Sequence, residues 1–350
     1  MALPVIVYGS YGYTGQLIVA ECKAKGVDVL LSGRNADQLQ LQSTATGYPF
    51  QAVDINDHRA LCDLLKRGAL VIHAAGPFQF TAEAMAKACL ETQRHYTDIT
   101  GEIQVFERLA RMDADARKAG IALMPGTGFD VVPSDCLAAH LKTRLPSAMH
   151  LQLAFASNKG GLSRGTSKTM VEGMGLGGAV RKNGKIVGVP LHEGITEINY
   201  GPFQIPSIRI PWGDVSTAYY STGIGNIEVF RGADKNLIKQ VNASRYFNWL
   251  LRMRWVKNYL LRQVDKKPAG PNEERRAKSK MYLWGKVADD HSSAVSLLET
   301  VEGYTLTAHT SVLIAQKILA GNFKPGFQTP SLAYGPDLIL EVGGSRRLDL

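Results

Sequence analysis

The sequence predicts an α/β protein: a Rossmann-type domain with a doubly wound parallel sheet, followed by a second α+β domain on a mostly antiparallel sheet. Strands and helices alternate over residues 1–125, and a glycine-rich turn follows the first strand. From about Met149, short strands separated by Gly and Pro replace this alternation. A chain of 350 residues is also too long for one ordinary core. We expect domains at 1–130 and 131–300, and a segment 301–350 that returns to the first domain.

The first strand and the turn after it carry the strongest signal. Val5-Ile6-Val7-Tyr8 is typical of a buried parallel strand, and a helix begins near Gln16. Gly9, Gly12 and Gly15 lie between them in the spacing Gly-x-x-Gly-x-x-Gly. Such glycines permit a sharp turn, a close approach of a pyrophosphate, and tight helix–strand packing. The phosphates then bind N–H groups at the positive end of the helix. We predict a dinucleotide site here.

The end of the second strand indicates which dinucleotide is bound. Asp28–Ser32 is predicted as that strand, and it is followed by Gly33-Arg34-Asn35. An NAD-selective site usually has a carboxylate here for the ribose 2′-hydroxyl, whereas a guanidinium can hold a 2′-phosphate through forked hydrogen bonds. Arg34, with Ser32 as a hydroxyl donor, therefore predicts NADP(H). The alternative is that Arg34 is a solvated loop residue.

Two later strands extend the predicted cofactor site. Ala52-Val53-Asp54 places Asp54 near the adenine edge, and a fourth strand, Ala69–Ala74, runs into a Gly-Pro turn. Ligands of doubly wound sheets bind outside the carboxyl ends of the strands. His73, a lone histidine at this strand end, is interpreted as packed rather than catalytic. The predicted cofactor-binding residues are Gly9, Ser10, Tyr11, Gly12, Tyr13, Thr14, Gly15, Ser32, Gly33, Arg34, Asp54, Ala75, Gly76, Pro77 and Phe78.

The next strand and the loop at the domain boundary supply catalytic candidates. Hydride transfer usually needs a proton donor or a polar group beside the developing anion. Tyr96 and Asp98 lie at the end of a predicted strand, and Asp130 lies in an irregular loop after Gly128. We therefore predict Tyr96, Asp98 and Asp130 as catalytic. Glu102 opens a helix predicted over Glu102–Ala119, where it could act as a helix cap.

The second domain is predicted from a run of strands. The predicted strands are Leu151–Ala156, Lys185–Pro190, Thr196–Tyr200, Ile208–Ile210 and Ile227–Phe230. A helix begins at Gly165 within this run, Lys266–Lys280 is predicted as a loop, and Tyr304–Leu319 is predicted as a long apolar helix that packs on the first domain.

The net charge of +9 is confined to one segment. Arg245–Lys286 carries 12 Lys and Arg against 3 acidic residues, and the remainder of the chain is balanced. The dinucleotide domain is therefore not basic, and we expect no nucleic-acid partner. Residues 242–263 form a basic, aromatic-rich predicted helix. Three interpretations stay open: an interdomain helix with snorkelling arginines, a dimer or lid element, and peripheral membrane contact. We expect a homodimer.

The remaining composition indicates a cytoplasmic protein. Residues 1–20 lack the pattern of a signal peptide, and no apolar run reaches the length that spans a bilayer. Cys22, Cys62, Cys89 and Cys136 lie at wide spacing, without a CxxC pair or a zinc-finger spacing. We expect reduced, buried thiols and no metal site.

Taken together, these segments resemble the saccharopine dehydrogenase-like oxidoreductases, and within them the trans-acting enoyl reductase group. The matching segments are 9–15, Gly33-Arg34, 75–78, 96–102, 125–135, Gly165-Thr166, 302–304 and 329–331. The resemblance implies a Rossmann domain, a second α/β domain and NADP(H)-linked redox chemistry. Because the basic residues lie beside wide apolar surface, we expect a hydrophobic acyl or enoyl substrate. The alternatives are an imine-reducing amino-acid dehydrogenase and a non-catalytic, membrane-associated NADPH-binding adaptor.

Overall fold

A computed structural model describes residues 3–158, 163–175, 177–251 and 253–350, with the side chains of 192, 240, 243–248 and 250 outside the description. The chain divides into two compact units. The first comprises Met1–Val132 and Gly303–Tyr334, and the second comprises Pro133–Glu302 and Gly335–Leu350. The segment predicted at 301–350 is therefore split. Its helical part belongs to the first unit, whereas its last strand pairs within the second.

The strands are β1 Val5–Tyr8, β2 Val29–Gly33, β3 Phe50–Ala52, β4 Leu70–His73, β5 His95–Asp98, β6 Ala122–Met124, β7 His150–Ser157, β8 Gly178–Lys182, β9 Lys185–Val189, β10 Ile195–Asn199, β11 Gln204–Arg209, β12 Asn226–Gly232, β13 Lys280–Ala288, β14 Ser293–Val301, β15 Gly326–Phe327 and β16 Arg346–Asp349. The helices are α1 Tyr13–Ala24, α2 Ala36–Thr46, α3 His58–Leu65, α4 Phe78–Thr92, α5 Ile103–Ala110, α6 Asp113–Ala119, α7 Val132–Arg144, α8 Arg164–Gly173, α9 Asp214–Thr222, α10 Lys235–Leu251, α11 Arg254–Asp265, α12 Glu273–Ala277, α13 Gly303–Leu319 and α14 Pro330–Tyr334. Short 3₁₀ turns occur at Leu191–Glu193 and Leu338–Glu341.

The first unit is built on a seven-stranded sheet in the order β15-β6-β5-β4-β1-β2-β3. Every pair in it is parallel. All four residues of β1 and of β4 are buried, which explains why each strand reads as a continuous apolar run. The order reverses at β1 and β4, so the loops after these two strands flank the point where ligands of such sheets bind.

The second unit is built on a nine-stranded sheet whose main path is β10-β11-β12-β7-β13-β14-β16, with β8 joined to β12 and to β9. The sheet is mixed but mostly antiparallel, because β7 and β12 form its one parallel pair among the described strands. Leu137 and Leu141 of α7 pack closely against Gly285 of β13. The predicted fold class is confirmed for both units.

Several predicted elements differ from the structure. The helix predicted over Glu102–Ala119 is two helices, α5 and α6. The helix predicted over 242–263 is interrupted at Met253, whose backbone is extended (φ −68°, ψ 131°), so that α10 and α11 are separate. The side chains of Arg245, Tyr246, Phe247 and Leu250, and the whole of Arg252, lie outside the described residues. The predicted loop Lys266–Lys280 contains α12, and strands β13 and β14 were missed. Among the described residues, the helices fall short of the length and apolar character that crossing a bilayer requires.

Candidate functional site

The turn between β1 and α1 has the shape that a dinucleotide pyrophosphate needs. Gly9 has a φ of +83°, and a Cβ at this position would lie 2.9 Å from the Cβ of Ala75. A Cβ on Gly15 would lie 2.2 Å from the carbonyl oxygen of Gly9. The cap residue of α1, Gly12, has no side chain and provides no side-chain cap for the helix amides. The helix N-terminus therefore offers its N–H groups and positive dipole to an anion, so the residues present fit the cofactor.

Ser10 holds the glycine turn in place. Its buried hydroxyl lies 2.7 Å from Oε1 of Gln42, and Nε2 of Gln42 donates to the Ser10 carbonyl oxygen at 2.9 Å. Both contacts join the turn to α2. Ser10 was predicted to contact the cofactor, but its side chain is engaged with Gln42, a residue that the sequence did not single out because its partner lies 32 positions away.

The carboxyl end of β2 presents Arg34 to solvent. Arg34 is exposed, and its guanidinium has no hydrogen bond or ion pair within the described part of the chain. Ser32, in contrast, is fully buried, and its hydroxyl donates to the Gln51 carbonyl oxygen at 2.7 Å. Ser32 is therefore not available as a phosphate donor, which corrects the prediction. The Tyr11 ring lies against Gly33, where a Cβ would be 2.6 Å from ring atom Cε1.

Asp54 lies beyond β3, where it closes a local turn. Its Oδ1 accepts hydrogen bonds from the backbone N–H and the side-chain amide of Asn56, both at 2.9 Å. Burial, and then the negative charge of Asp54, raise the pKa of the Tyr8 hydroxyl to about 12. Asp54 is exposed beside the same strand ends as Arg34, so its predicted place at the adenine edge stays a prediction.

Replacement of Arg34 by Ala should weaken NADPH binding about 10- to 100-fold, because a charge-assisted hydrogen bond contributes roughly 1.5–3 kcal/mol. NADH lacks the 2′-phosphate, so its affinity should stay nearly constant. Parallel fluorescence titrations with the two nucleotides measure the difference. Arg111→Ala, which removes an exposed arginine at the far end of α5, is the matched control. An equal loss of affinity for both nucleotides would assign Arg34 a structural role.

The turn between β4 and α4 is capped from a distant segment. Residues Ala75-Gly76-Pro77 lead into α4, whose first N–H groups, from Phe78 and Gln79, each donate to the Glu102 carboxylate at 2.8 Å. Burial raises the pKa of Glu102, and the two amide hydrogen bonds oppose that rise. The sequence suggested Glu102 as a cap for its own helix. The structure shows that it caps α4 instead, and thereby fixes the loop beside the predicted nicotinamide position.

His73 is a packed residue at the end of β4. It is fully buried, and its Nε2 lies 2.9 Å from the Thr81 hydroxyl. The rings of Tyr8 and Phe78 lie 5.6 and 5.3 Å from its ring centroid. Burial lowers the pKa of His73 to about 3, so the imidazole is neutral at physiological pH.

Tyr96 and Asp98 form a buried polar centre at the end of β5. The Tyr96 hydroxyl donates to Oδ2 of Asp98 at 2.5 Å, and Oδ1 accepts from the N–H groups of Thr100 at 3.0 Å and Gly126 at 2.8 Å. Burial raises the pKa of Asp98 to about 6 and that of Tyr96 well above its ordinary value. Neither side chain is exposed. Both side chains lie in a buried network that holds the loop after β6, and the catalytic role predicted for them stays a prediction.

Asp130 lies on that loop and is partly exposed. Its side chain is only partly buried, and its Oδ2 lies 2.7 Å from where a Cβ on Gly101 would stand. Burial, and then the negative charge of Glu102, raise the pKa of Asp130 to about 7. An acid that titrates near neutrality can both donate and accept a proton. Of the three residues predicted as catalytic, Asp130 alone is partly exposed and has a pKa raised to about 7.

Helix α13 contacts two parts of the site in the first unit: the loop that carries Asp130 and the start of α1. The Thr307 hydroxyl accepts from the Phe129 N–H at 3.0 Å, and the Thr310 hydroxyl donates to the Thr127 carbonyl oxygen at 2.7 Å. The rings of Tyr13 and Tyr304 meet edge to face with centroids 5.2 Å apart. The start of α13 therefore lies beside the start of α1, a juxtaposition that sequence reasoning could not supply because nearly 300 residues separate them.

Comparison with known proteins identifies the first domain. Residues 5–124 match the saccharopine dehydrogenase NADP-binding domain family. Together with the uncapped α1 and the exposed Arg34, this match shows that the first unit binds NADP(H). The match does not confirm the predicted membership of the trans-acting enoyl reductase group.

Two curated relatives that match 70% of this chain share about a quarter of the aligned residues with it. The lipid droplet localized protein of Caenorhabditis elegans is 26% identical over 263 residues, which cover 70% of this chain and 59% of the relative. The human saccharopine dehydrogenase-like oxidoreductase is 24% identical over 269 residues, covering 70% and 60%. The chain thus spans no more than about three-fifths of these curated relatives. Apo saccharopine dehydrogenase (L-Glu forming) from Saccharomyces cerevisiae shares the fold, with a TM-score of 0.70 at 14% identity over all of both chains.

Proposed function

We propose, on the premise that residues 5–124 are a saccharopine dehydrogenase NADP-binding domain, that the chain is an NADP(H)-dependent oxidoreductase in which Asp130 exchanges the accompanying proton. The observation that carries this proposal is the carboxyl group of Asp130, a partly exposed residue whose pKa burial and the charge of Glu102 raise to about 7, on a loop that Asp98 and Thr307 hold in place. When bound, the nicotinamide supplies or accepts a hydride.

The chain's own residues divide the remaining work. The glycine turn and the N-terminus of α1 bind the pyrophosphate, and Arg34 binds the 2′-phosphate. Glu102 holds the loop at Ala75–Pro77 by capping α4. In reduction, protonated Asp130 gives its proton to the anion that develops on the substrate; in oxidation, its carboxylate takes that proton back.

We favour a hydrophobic acyl or enoyl substrate. Support comes from the second unit, where three aromatic side chains are exposed to solvent: Trp249 by 62%, Trp255 by 65% and Tyr259 by 58%. Leaving so much apolar surface in water is unfavourable, so such side chains usually contact an apolar ligand, a membrane surface or a partner protein. An imine-reducing, saccharopine-type dehydrogenase is the second candidate, which the family match and the shared fold favour at least as strongly.

A substrate screen distinguishes these candidates. Purified protein and NADPH are incubated either with enoyl thioesters of increasing chain length or with a 2-oxo acid and an amino acid, and NADPH oxidation is followed by absorbance. Turnover that rises with acyl chain length supports the hydrophobic substrate, whereas turnover only with the oxo acid and amine pair supports imine reduction. NADPH binding without oxidation by either class would instead favour the non-catalytic adaptor.

We also propose that α11 brings the protein to an anionic membrane surface. Trp255 and Tyr259 lie four residues apart, on one face of this helix, and Arg254 and Arg262 are exposed beside them. Aromatic side chains insert at the boundary between headgroups and acyl chains, and arginines attract anionic headgroups. The localisation in the name of the Caenorhabditis elegans relative accords with this proposal.

Replacing Trp255 and Tyr259 together by Ala should lower binding to phosphatidylserine-containing vesicles by about 10-fold or more, since burying one large apolar side chain contributes roughly 1.5–3 kcal/mol. Vesicle co-sedimentation at low and high salt measures this change, and salt should weaken wild-type binding. Leu41→Ala, at a 66% exposed residue of the first unit, is the control. If the double variant instead lowers the molecular mass in solution, the surface joins two copies of the chain.

A further inference from the structure

Three metal-ligating side chains of different chemistry meet on the outer helices of the first unit. His58 and Cys62 lie four residues apart on one face of α3, and Glu91 lies in the last turn of α4. Their ligand atoms all lie within 4.8 Å of one another. The distance from Nε2 of His58 to Oε2 of Glu91 is 2.7 Å, and that to Sγ of Cys62 is 3.6 Å. We propose that His58, Cys62 and Glu91 bind one Zn²⁺ ion.

The way in which these atoms converge favours a metal over a proton relay. In a nucleophile–histidine–acid relay, the nucleophile and the acid contact opposite ring nitrogens. Here the thiol of Cys62 and the carboxylate of Glu91 both approach Nε2 of His58. Three donor atoms that lie within 4.8 Å of one another are close enough to share one cation, and nitrogen, sulfur and oxygen together are a donor set that Zn²⁺ accepts.

One of the observed separations already matches tetrahedral geometry, and a second must open. Zinc bonds of about 2.0–2.3 Å place two ligand atoms roughly 3.3–3.6 Å apart. The His58–Cys62 separation of 3.6 Å already meets this value, whereas the His58–Glu91 pair must open from 2.7 Å. The side chains of His58 and Glu91 are 54% and 63% exposed, so both can move, and the ion can reach them from solvent. Cys62 is 4% exposed and supplies the fixed ligand.

Three protein ligands leave a fourth position for water or for an incoming donor, as in zinc sites that remain open. The ion would tie α3 to α4, two helices that pack against each other. The sequence expectation of no metal site rested on the spacing of cysteines alone. It missed this group because the third ligand comes from a different helix, 29 residues after Cys62.

Cobalt substitution tests the proposal on the whole 350-residue chain. Reduced, chelator-treated protein is titrated with Co²⁺, and the thiolate-to-cobalt charge-transfer absorption in the near ultraviolet is recorded. We expect one equivalent bound with this absorption present, and displacement by one equivalent of Zn²⁺. Cys62→Ser should abolish the absorption, and His58→Ala and Glu91→Gln should each weaken binding at least 10-fold. Asp63→Asn, which removes a neighbouring exposed carboxylate on α3, should leave binding unchanged.

A second measurement keeps the proposal testable if a variant folds poorly. X-ray absorption at the zinc edge of wild-type protein should show one sulfur neighbour together with nitrogen or oxygen neighbours. NADPH affinity serves as the folding control for every variant, and it should not change when Zn²⁺ is added. Absence of a sulfur neighbour, binding that persists in Cys62→Ser, or an equal effect of Asp63→Asn would overturn the assignment.

Discussion

Replacement of Asp98 by Ala should destabilise the nucleotide-binding unit by several kcal/mol and abolish NADPH binding. The Asp98 carboxylate accepts hydrogen bonds from three buried donors: the Tyr96 hydroxyl and the N–H groups of Thr100 and Gly126. Leaving a buried donor without an acceptor costs about 1–3 kcal/mol, so three together reach roughly 3–9 kcal/mol. That range is comparable with the entire free energy of unfolding of a typical domain, about 5–15 kcal/mol. Urea unfolding followed by circular dichroism measures the loss.

The companion variant Tyr96→Phe separates positioning from catalysis. It removes one hydrogen bond from Asp98 while leaving the two backbone donors satisfied, so the free energy of unfolding should fall by about 1.5–3 kcal/mol, less than in Asp98→Ala. A Tyr96 that never reaches substrate predicts NADPH affinity and turnover close to those of the wild-type protein. A stably folded Tyr96→Phe protein with turnover reduced 100-fold would support Tyr96 as a catalytic residue and contradict the positioning role.

The parts of the site that the sequence predicted are those encoded by contiguous residues. The β1 strand, the glycine turn and the start of α1 follow one another directly, so spacing alone predicts the geometry. Whether a polar side chain faces the ligand or the protein depends on residues from other elements. Ser32 is engaged by Gln51 and Asp98 by Gly126, across neighbouring strands, and neither partnership has a local signature.

The second unit shows the same limit at the level of whole elements. Strands β7, β10 and β12 were predicted among segments separated by Gly and Pro, whereas β13 and β14, which were missed, alternate buried and partly buried residues only over their last six positions. This weaker alternation follows a basic stretch that was interpreted as a loop. The break at Met253 carries no Pro or Gly, so the helical periodicity of the sequence runs through it.

Asp130→Asn should lower turnover about 10²- to 10⁴-fold while leaving NADPH affinity near the wild-type value, because an amide keeps the shape of the side chain but cannot exchange the proton. The pKa of Asp130 determines whether the wild-type rates rise or fall with pH. Burial and the charge of Glu102 raise the pKa of Asp130 to about 7, so the group is protonated below pH 7 and ionised above it. Reduction should therefore slow as the pH rises through 7, whereas oxidation should accelerate over the same range.

Comparison of the pH profiles makes this prediction specific to Asp130. In Asp130→Asn the change in rate near pH 7, here called the pH limb, should disappear for both reduction and oxidation. Asp115→Asn, at an exposed carboxylate of α6, should keep this change. Glu102→Gln removes the neighbouring negative charge, so the pKa of Asp130 should fall and the pH limb should move to lower pH. This holds if the glutamine still accepts the hydrogen bonds that cap α4. If Asp130→Asn retained both its turnover and the pH limb, the proton would have to come from a residue outside this loop, and the assignment of Asp130 would fail while NADP(H) binding stood.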